Sequence, residues 1–217
     1  MDQFQPSGME TYDGTKSPYR MRGAVNDRFL HPSYMLKKRI WRFFGSAVRI
    51  YSPDGQLAFY VERKAFKLKD DIRIYADEAM TTELMSINAR QVLDLLGTFD
   101  VRDSRSGQII GTLQRRNVIS AFRDQWFILD EVGNQTGVVI EDSLALALIR
   151  DFLFAFLPRA FHIEHAGTKV GVLRHRITFL GNEMTMEFMD GAPGFDRRLG
   201  IAAAIVIALI ESGRRRG

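Results

Sequence analysis

The chain has four histidines, His31, His162, His165 and His175, and no cysteine. Without a thiol, disulfide staples, thiolate metal sites, cysteine nucleophiles and palmitoylation are excluded. His162 and His165 stand three apart in a stretch of alternating character. As strand residues they point to opposite faces, and do not converge on a metal. Asp70, Asp71, Glu141 and Asp142 read as turn or capping carboxylates, since no spacing brings a base to meet an acid. No glycine loop follows a strand and opens a helix to cradle phosphate. What remains is the chemistry of cations. Arg115 and Arg116, followed by Arg123, and Arg174 and Arg176 on either side of His175 could form a secondary basic patch. With Phe122 and Trp126 as stacking candidates, nucleic acid is a minor expectation. No catalytic residue, metal or cofactor is expected, and the chain reads as non-enzymatic.

The overall balance agrees with an anionic partner. Among 217 residues, 30 Lys and Arg face 26 Asp and Glu, a formal charge of +4. So small a surplus favours acidic surfaces without singling out nucleic acid over a membrane or an acidic protein. A hydrophobic content of 46% allows a sizeable core. The first residues lack a basic stretch followed by an apolar one, so export by a signal peptide is not expected.

The elements that must position these cations are mainly strands. Residues 1–28 mix glycine, proline and charge without a sustained period and read as a disordered arm carrying Arg20, Arg22 and Arg28 as solvated tail charges. The domain is expected over 29–217. Within it apolar residues recur every second position: Leu57, Phe59 and Val61; Ile72 and Ile74; Met85, Ile87 and Ala89; Phe99 and Val101; Phe161 and Ile163; Met184, Met186 and Phe188. Turn-forming stretches separate them at Ser52 to Gly55, Asp103 to Gly107, Gly133 to Gln135, Ala166-Gly167 and Gly181-Asn182, which predicts sequential antiparallel hairpins. A helix is predicted over 143–157, capped by Asp142 or Ser143 and stopped by Pro158.

A second helix, from Leu199 to Ile210, has no polar side and must be buried. At about 1.5 Å per residue it reaches roughly 18 Å, short of the roughly 30 Å hydrocarbon core of a bilayer. It is therefore expected inside the protein, not across a membrane. The strand count, about a dozen, would close into a barrel too wide for wall side chains to fill, so something must occupy its interior. The expected fold is a closed antiparallel barrel of about twelve strands around this helix, with Gly200, Ala202 and Ala204 allowing close approach to the wall.

Four stretches in this order, Tyr51 to Gln56 (YSPDGQ), Tyr60 to Lys69 (YVERKAFKLK), Gly111 to Arg116 (GTLQRR) and Asp196 to Gly200 (DRRLG) before the apolar helix, carry a family likeness. From about Phe29 to Glu211 the chain resembles the scramblase and LURP-one-related branch of the Tubby C-terminal-like superfamily. The resemblance implies the same fold, a barrel around a C-terminal helix, and contact with membrane lipid more than catalysis. By approximate strand position, the phosphoinositide headgroup site implied by Tubby-like domains falls on Arg63, Lys64, Lys67 and Lys69. Clustered cations there would give charge-assisted hydrogen bonds to phosphate oxygens.

Two functions from different classes follow. The first is a module binding anionic, phosphoinositide-type headgroups at a membrane surface through basic residues on the barrel wall, in a cytoplasmic protein whose docking surface is the inner membrane face. The second is a structural or protein-interaction barrel. Below them stand a phospholipid scramblase and a DNA-associated regulator. Calcium-dependent scrambling is disfavoured because only Asp190 and Asp196 lie between Phe188 and Leu199, against the six to eight oxygens that calcium takes. No small-molecule substrate is evident.

Overall fold

A computed structural model describes residues 27–41, 45–63, 71–90, 97–116, 125–142, 159–178, 181–189 and 194–214. Twelve strands form a closed barrel: β1 (Ser33–Trp41), β2 (Gly45–Tyr51), β3 (Leu57–Arg63), β4 (Asp71–Tyr75), β5 (Glu83–Ala89), β6 (Thr98–Asp103), β7 (Ile109–Arg115), β8 (Gln125–Leu129), β9 (Gln135–Glu141), β10 (Ala160–His165), β11 (Thr168–Thr178) and β12 (Gly181–Phe188). Each pairs antiparallel with its neighbours in sequence. The ring closes where β1 meets β12, from Ser33 opposite Glu187 to Lys38 opposite Asn182.

The expected alternation sets the register, because a shift of one residue would turn each strand's apolar set to water. Phe59, Val61, Ile74, Met85, Ile87, Val101 and Ile163 all face inward and are fully buried. Helix α1 (Arg197–Arg214) fills the interior, and every residue from Leu199 to Leu209 is buried. Close approach is achieved with glycine on both partners. A methyl at Gly111 of β7 would lie 2.9 Å from both Leu199 methyls, and one at Gly200 of α1 would lie 2.9 Å from Met186 Cε.

An even-stranded meander gives the barrel two distinct ends. Odd-numbered strands run from the near end, where α1 begins, to the far end, where it leaves. The near end is closed by aromatic rings: Phe29 lies 4.8 Å from Phe59, Tyr34 5.8 Å from Phe59 and Phe195 6.4 Å from Phe188. Arg28, read from the sequence as a solvated tail charge, is instead built into this closure. It sits in a single 3-10 turn, Asp27–Phe29, and its guanidinium donates to the carbonyls of Leu57, Ala58 and Ala76 at 2.9–3.2 Å.

Asp196 caps α1 by accepting from the Arg198 backbone N–H at 2.9 Å. Arg197 and Arg198 oppose the positive end of the helix dipole, so each needs an acceptor of its own. Arg198 donates to Asp196 and, at 2.8 Å, to Asp103, while Arg197 donates to the Leu30 and His31 carbonyls and lies 4.9 Å from the Phe188 ring. Burial alone would raise the Asp103 carboxyl; hydrogen bonds from Ser106 and the Arg198 charge hold it below the usual range.

One local expectation changes here. Gly181 and Asn182 are the first rungs of β12, opposite Thr178 and Ile177, so the turn precedes them. The helix predicted over 143–157 lies outside the described residues, as do residues 1–26 of the predicted arm.

Candidate functional site

Those of the cations singled out in the sequence that are described lie on or next to three strands, β3, β7 and β11, each four strands from the next around the ring. They do not form one patch on the wall. All three strands, however, run toward the far end.

Arg63 ends β3, opposite Ser46 and Ile72. Its register matches that of buried Phe59 and Val61, so it faces the mouth of the barrel and not the outer wall. Lys64, Lys67 and Lys69 lie outside the described residues. Arg115 ends β7 in register with buried Leu113, its guanidinium 5.9 Å from the Trp126 ring. Arg116 lies 5.8 Å from the Phe127 ring and donates to Gln125 Oε1 at 3.1 Å. Arg174 of β11 is exposed on the outer wall and paired with Glu187 at 2.8 Å. Arg176 stands opposite Glu183 in the ladder.

Strand parity adds residues that the sequence reading passed over. Lys38 continues the inward series Tyr34 and Leu36 on β1, His175 follows Leu173 on β11, and Glu141 follows Val139 on β9. The two-residue period was the available signal. Glu141 is 3% exposed and lies 3.9 Å from Arg159, so it is an inward-facing ion-pair partner and not a turn residue. The far mouth is therefore ringed by Lys38, Arg63, Arg115 and His175, with the Glu141–Arg159 pair between β9 and β10. Lys38 and His175 border a small gap with Leu36, Val48, Glu183, Met184 and Ala208, the last from α1 itself.

Cations at this mouth complement the negative end of the helix, which carries about half an elementary charge. One such partner would offset it. Elsewhere several described wall cations are matched by carboxylates: Lys37 with Glu183, Arg49 with Glu78, Arg73 with Asp71 and Glu83, and Arg90 with Asp100, while Arg102 donates to the Gly107 carbonyl. This charged outer register is the reverse of the apolar belt that a membrane-spanning barrel presents to lipid. No helix among the described residues is long and apolar enough to cross a membrane.

Trp126 is 3% exposed and packs 6.1 Å from Phe99, so its face is closed to a nucleic-acid base. Phe122 and Arg123 lie outside the described residues. His162 on the outer face bonds Asp142 and, at 3.0 Å, Glu164, while His165 turns inward with its ring 5.4 Å from Phe195. Asp142 thus has a cross-strand partner that sequence spacing did not show. Asp71 is bonded by Arg73 and Asn88. Among the described residues no three His, Asp or Glu side chains are grouped to hold a metal.

A model of the LURP-one-related family matches residues 33–208, from the first residue of β1 to the last turns of the buried helix. The chain belongs to the LURP-one-related family. The match covers every strand of the barrel, so it is this half of the resemblance, with its relation to Tubby-like domains, that the residues carry. No curated protein compared with the chain matches it.

Proposed function

We propose that this LURP-one-related barrel is a non-enzymatic module that binds anionic phospholipid headgroups, of the phosphoinositide type, at the cytoplasmic face of a membrane. The observation that carries the reading is the far mouth. Lys38, Arg63 and Arg115, from β1, β3 and β7, all take the inward register where their strands reach that mouth, whereas the near end is closed by aromatic rings. Phosphate oxygens are the complementary ligand, since guanidinium and ammonium groups from several strands can each donate to a different oxygen.

Scrambling is left out of this function. The interior through which a lipid would pass is filled by α1, whose residues from Leu199 to Leu209 are buried against the wall.

Vesicle flotation tests the reading. The chain should float with phosphatidylcholine vesicles containing phosphatidylserine or a phosphatidylinositol bisphosphate, not with pure phosphatidylcholine, and rising salt should release it. Replacing Arg63 and Arg115 by glutamine should weaken binding about thirtyfold, at about 1 kcal/mol for each cation near an anionic surface. Arg174→Gln, on the outer wall, should change it little. If the unaltered chain floats with none of these vesicles, the lipid reading is wrong and a protein-interaction barrel takes its place.

A further inference from the structure

The outer wall is not uniform around the ring. Across β1 to β4, Lys37, Arg49, Tyr60 and Tyr75 stand opposite one another in one ladder row, and Met35 stands opposite Tyr51 in the next. Each adjoins a buried, inward-facing residue of its own strand, Leu36, Ile50, Phe59 or Ile74, so all six point away from the core. Tyr75 is nearly covered, whereas Tyr51 and Tyr60 are half-buried and Met35 is 38% exposed. Among the described residues, Met35 is the one exposed large apolar side chain that lies within a strand; Leu30, Met80, Val132 and Met189 lie in turns or beyond strand ends.

The charges set among these rings are answered unequally. Arg49 is held by both oxygens of Glu78 at 2.7 Å, Arg73 by Glu83 at 2.7 Å and Asp71 at 3.2 Å, and Lys37 lies 3.8 Å from Glu183. Glu62, two residues beyond Tyr60 on the same face of β3, forms no hydrogen bond or ion pair among the described residues. The described cations of this face are thus matched from within, and a carboxylate is left over. Lys37 and Arg49 lie 5.7 Å from the ring centres of Tyr51 and Tyr60, the geometry in which an aromatic face attracts a cation. Tyrosine, methionine and arginine are the residues enriched at protein contacts, and an unmatched carboxylate among them selects a positive partner.

We propose that the outer wall of β1–β4 docks an arginine-bearing segment of a partner protein, with apolar contact on Met35 and Tyr51 and a guanidinium held between the Tyr60 ring and Glu62. Alternate residues of a strand are about 7 Å apart, which lets one planar guanidinium stack on the ring and pair with the carboxylate at once. Lysine, a point charge, cannot do both. The face lies on the wall, apart from the far mouth, so this inference does not rest on the lipid reading.

The test titrates fluorescein-labelled nona-arginine and nona-lysine with the full chain and follows polarisation. Because the chain has a formal charge of +4, its overall field repels a polycation, and binding reports a local site. Nona-arginine should bind, more tightly than nona-lysine, and rising salt should weaken it. Tyr60→Thr, which keeps a strand-forming residue in β3, and Glu62→Gln should each weaken nona-arginine binding about tenfold while circular dichroism is unchanged. Glu131→Gln, in a near-end turn, should leave binding unaltered. Absence of nona-arginine binding, equal affinity for nona-lysine, or full binding by either face variant overturns the proposal. So does a concentration-dependent dimer in sedimentation that Tyr60→Thr abolishes, which gives the face to a second copy of the chain.

Discussion

Ile205 stands at the centre of α1 and is completely buried within the barrel. Truncating it to alanine removes three carbon atoms from a site walled on every side, and deletions of this kind cost about 2–5 kcal/mol. Against a total stability of about 5–15 kcal/mol, Ile205→Ala should fold, with its urea midpoint lowered and its m-value unchanged. Ile205→Asp keeps the same lost packing and adds a carboxylate with no partner, costing several kcal/mol more, so the sum reaches or exceeds what the fold has to lose. This variant should be unfolded by circular dichroism, or recovered only as aggregate. A chain ending at Arg198 should behave likewise, since twelve strands without α1 enclose an unfilled interior. The reasoning is refuted if Ile205→Asp keeps the unaltered midpoint and loses only vesicle flotation, for then the helix anchors the protein and does not fill its core.

Two further perturbations bear on the near end of the barrel, where the helix begins. Gly111→Ala puts a methyl 2.7 Å from the Leu129 carbonyl oxygen and 2.9 Å from Leu199, so it should cost about 1–3 kcal/mol in urea unfolding; combined with Leu199→Ala the loss should be less than the sum, and a change within error would show that the wall is not held this close. Burial pushes the Tyr34 hydroxyl up to about 12, and that group donates to the Arg28 carbonyl at 2.7 Å. Its contribution is complete below the ordinary tyrosine value near 10 and declines as pH rises toward 12, by at most about 1.4 kcal/mol per pH unit. Tyr34→Phe should therefore lose stability at neutral pH yet narrow its deficit between pH 10 and 12; a deficit constant across that range would remove Tyr34 as the source.

How much of this was legible from residues follows from which interactions are local. A helix apolar on every side and too short for a bilayer announces a core, and alternation over many short runs announces the sheet that surrounds it; both signals survive without any knowledge of partners. The turn at Gly181 and Asn182 was misplaced because glycine and asparagine mark the vicinity of a reversal without separating its tip from the adjoining rungs. Arg63 and Arg115 were recognisable as cations, but their side of the sheet depends on counting two residues on from Val61 and Leu113. That count was available and turns them inward. The Asp142–His162 contact and the three carbonyls around Arg28 were not available, since each depends on a strand register or a chain path that residue spacing does not give.

The ring also explains how a chain with only a slight excess of positive charge can present a strongly directional surface. In a twelve-stranded meander every odd strand ends at the far mouth, so the inward-facing residues at the ends of β1, β3 and β7 bring Lys38, Arg63 and Arg115 to that one end. Net charge averages over this placement and hides it. The buried helix strengthens the asymmetry, because its N-terminus is taken up at the near end by Asp196 and its neighbours while its C-terminus brings partial negative charge to the far mouth. On the proposed reading, inward-facing Lys38, Arg63 and Arg115 both offset that helix end and supply the positive field for an anionic headgroup. Removing one of them should therefore weaken both folding and anionic-vesicle binding, whereas removing Arg174 from its wall pair should leave both nearly unchanged.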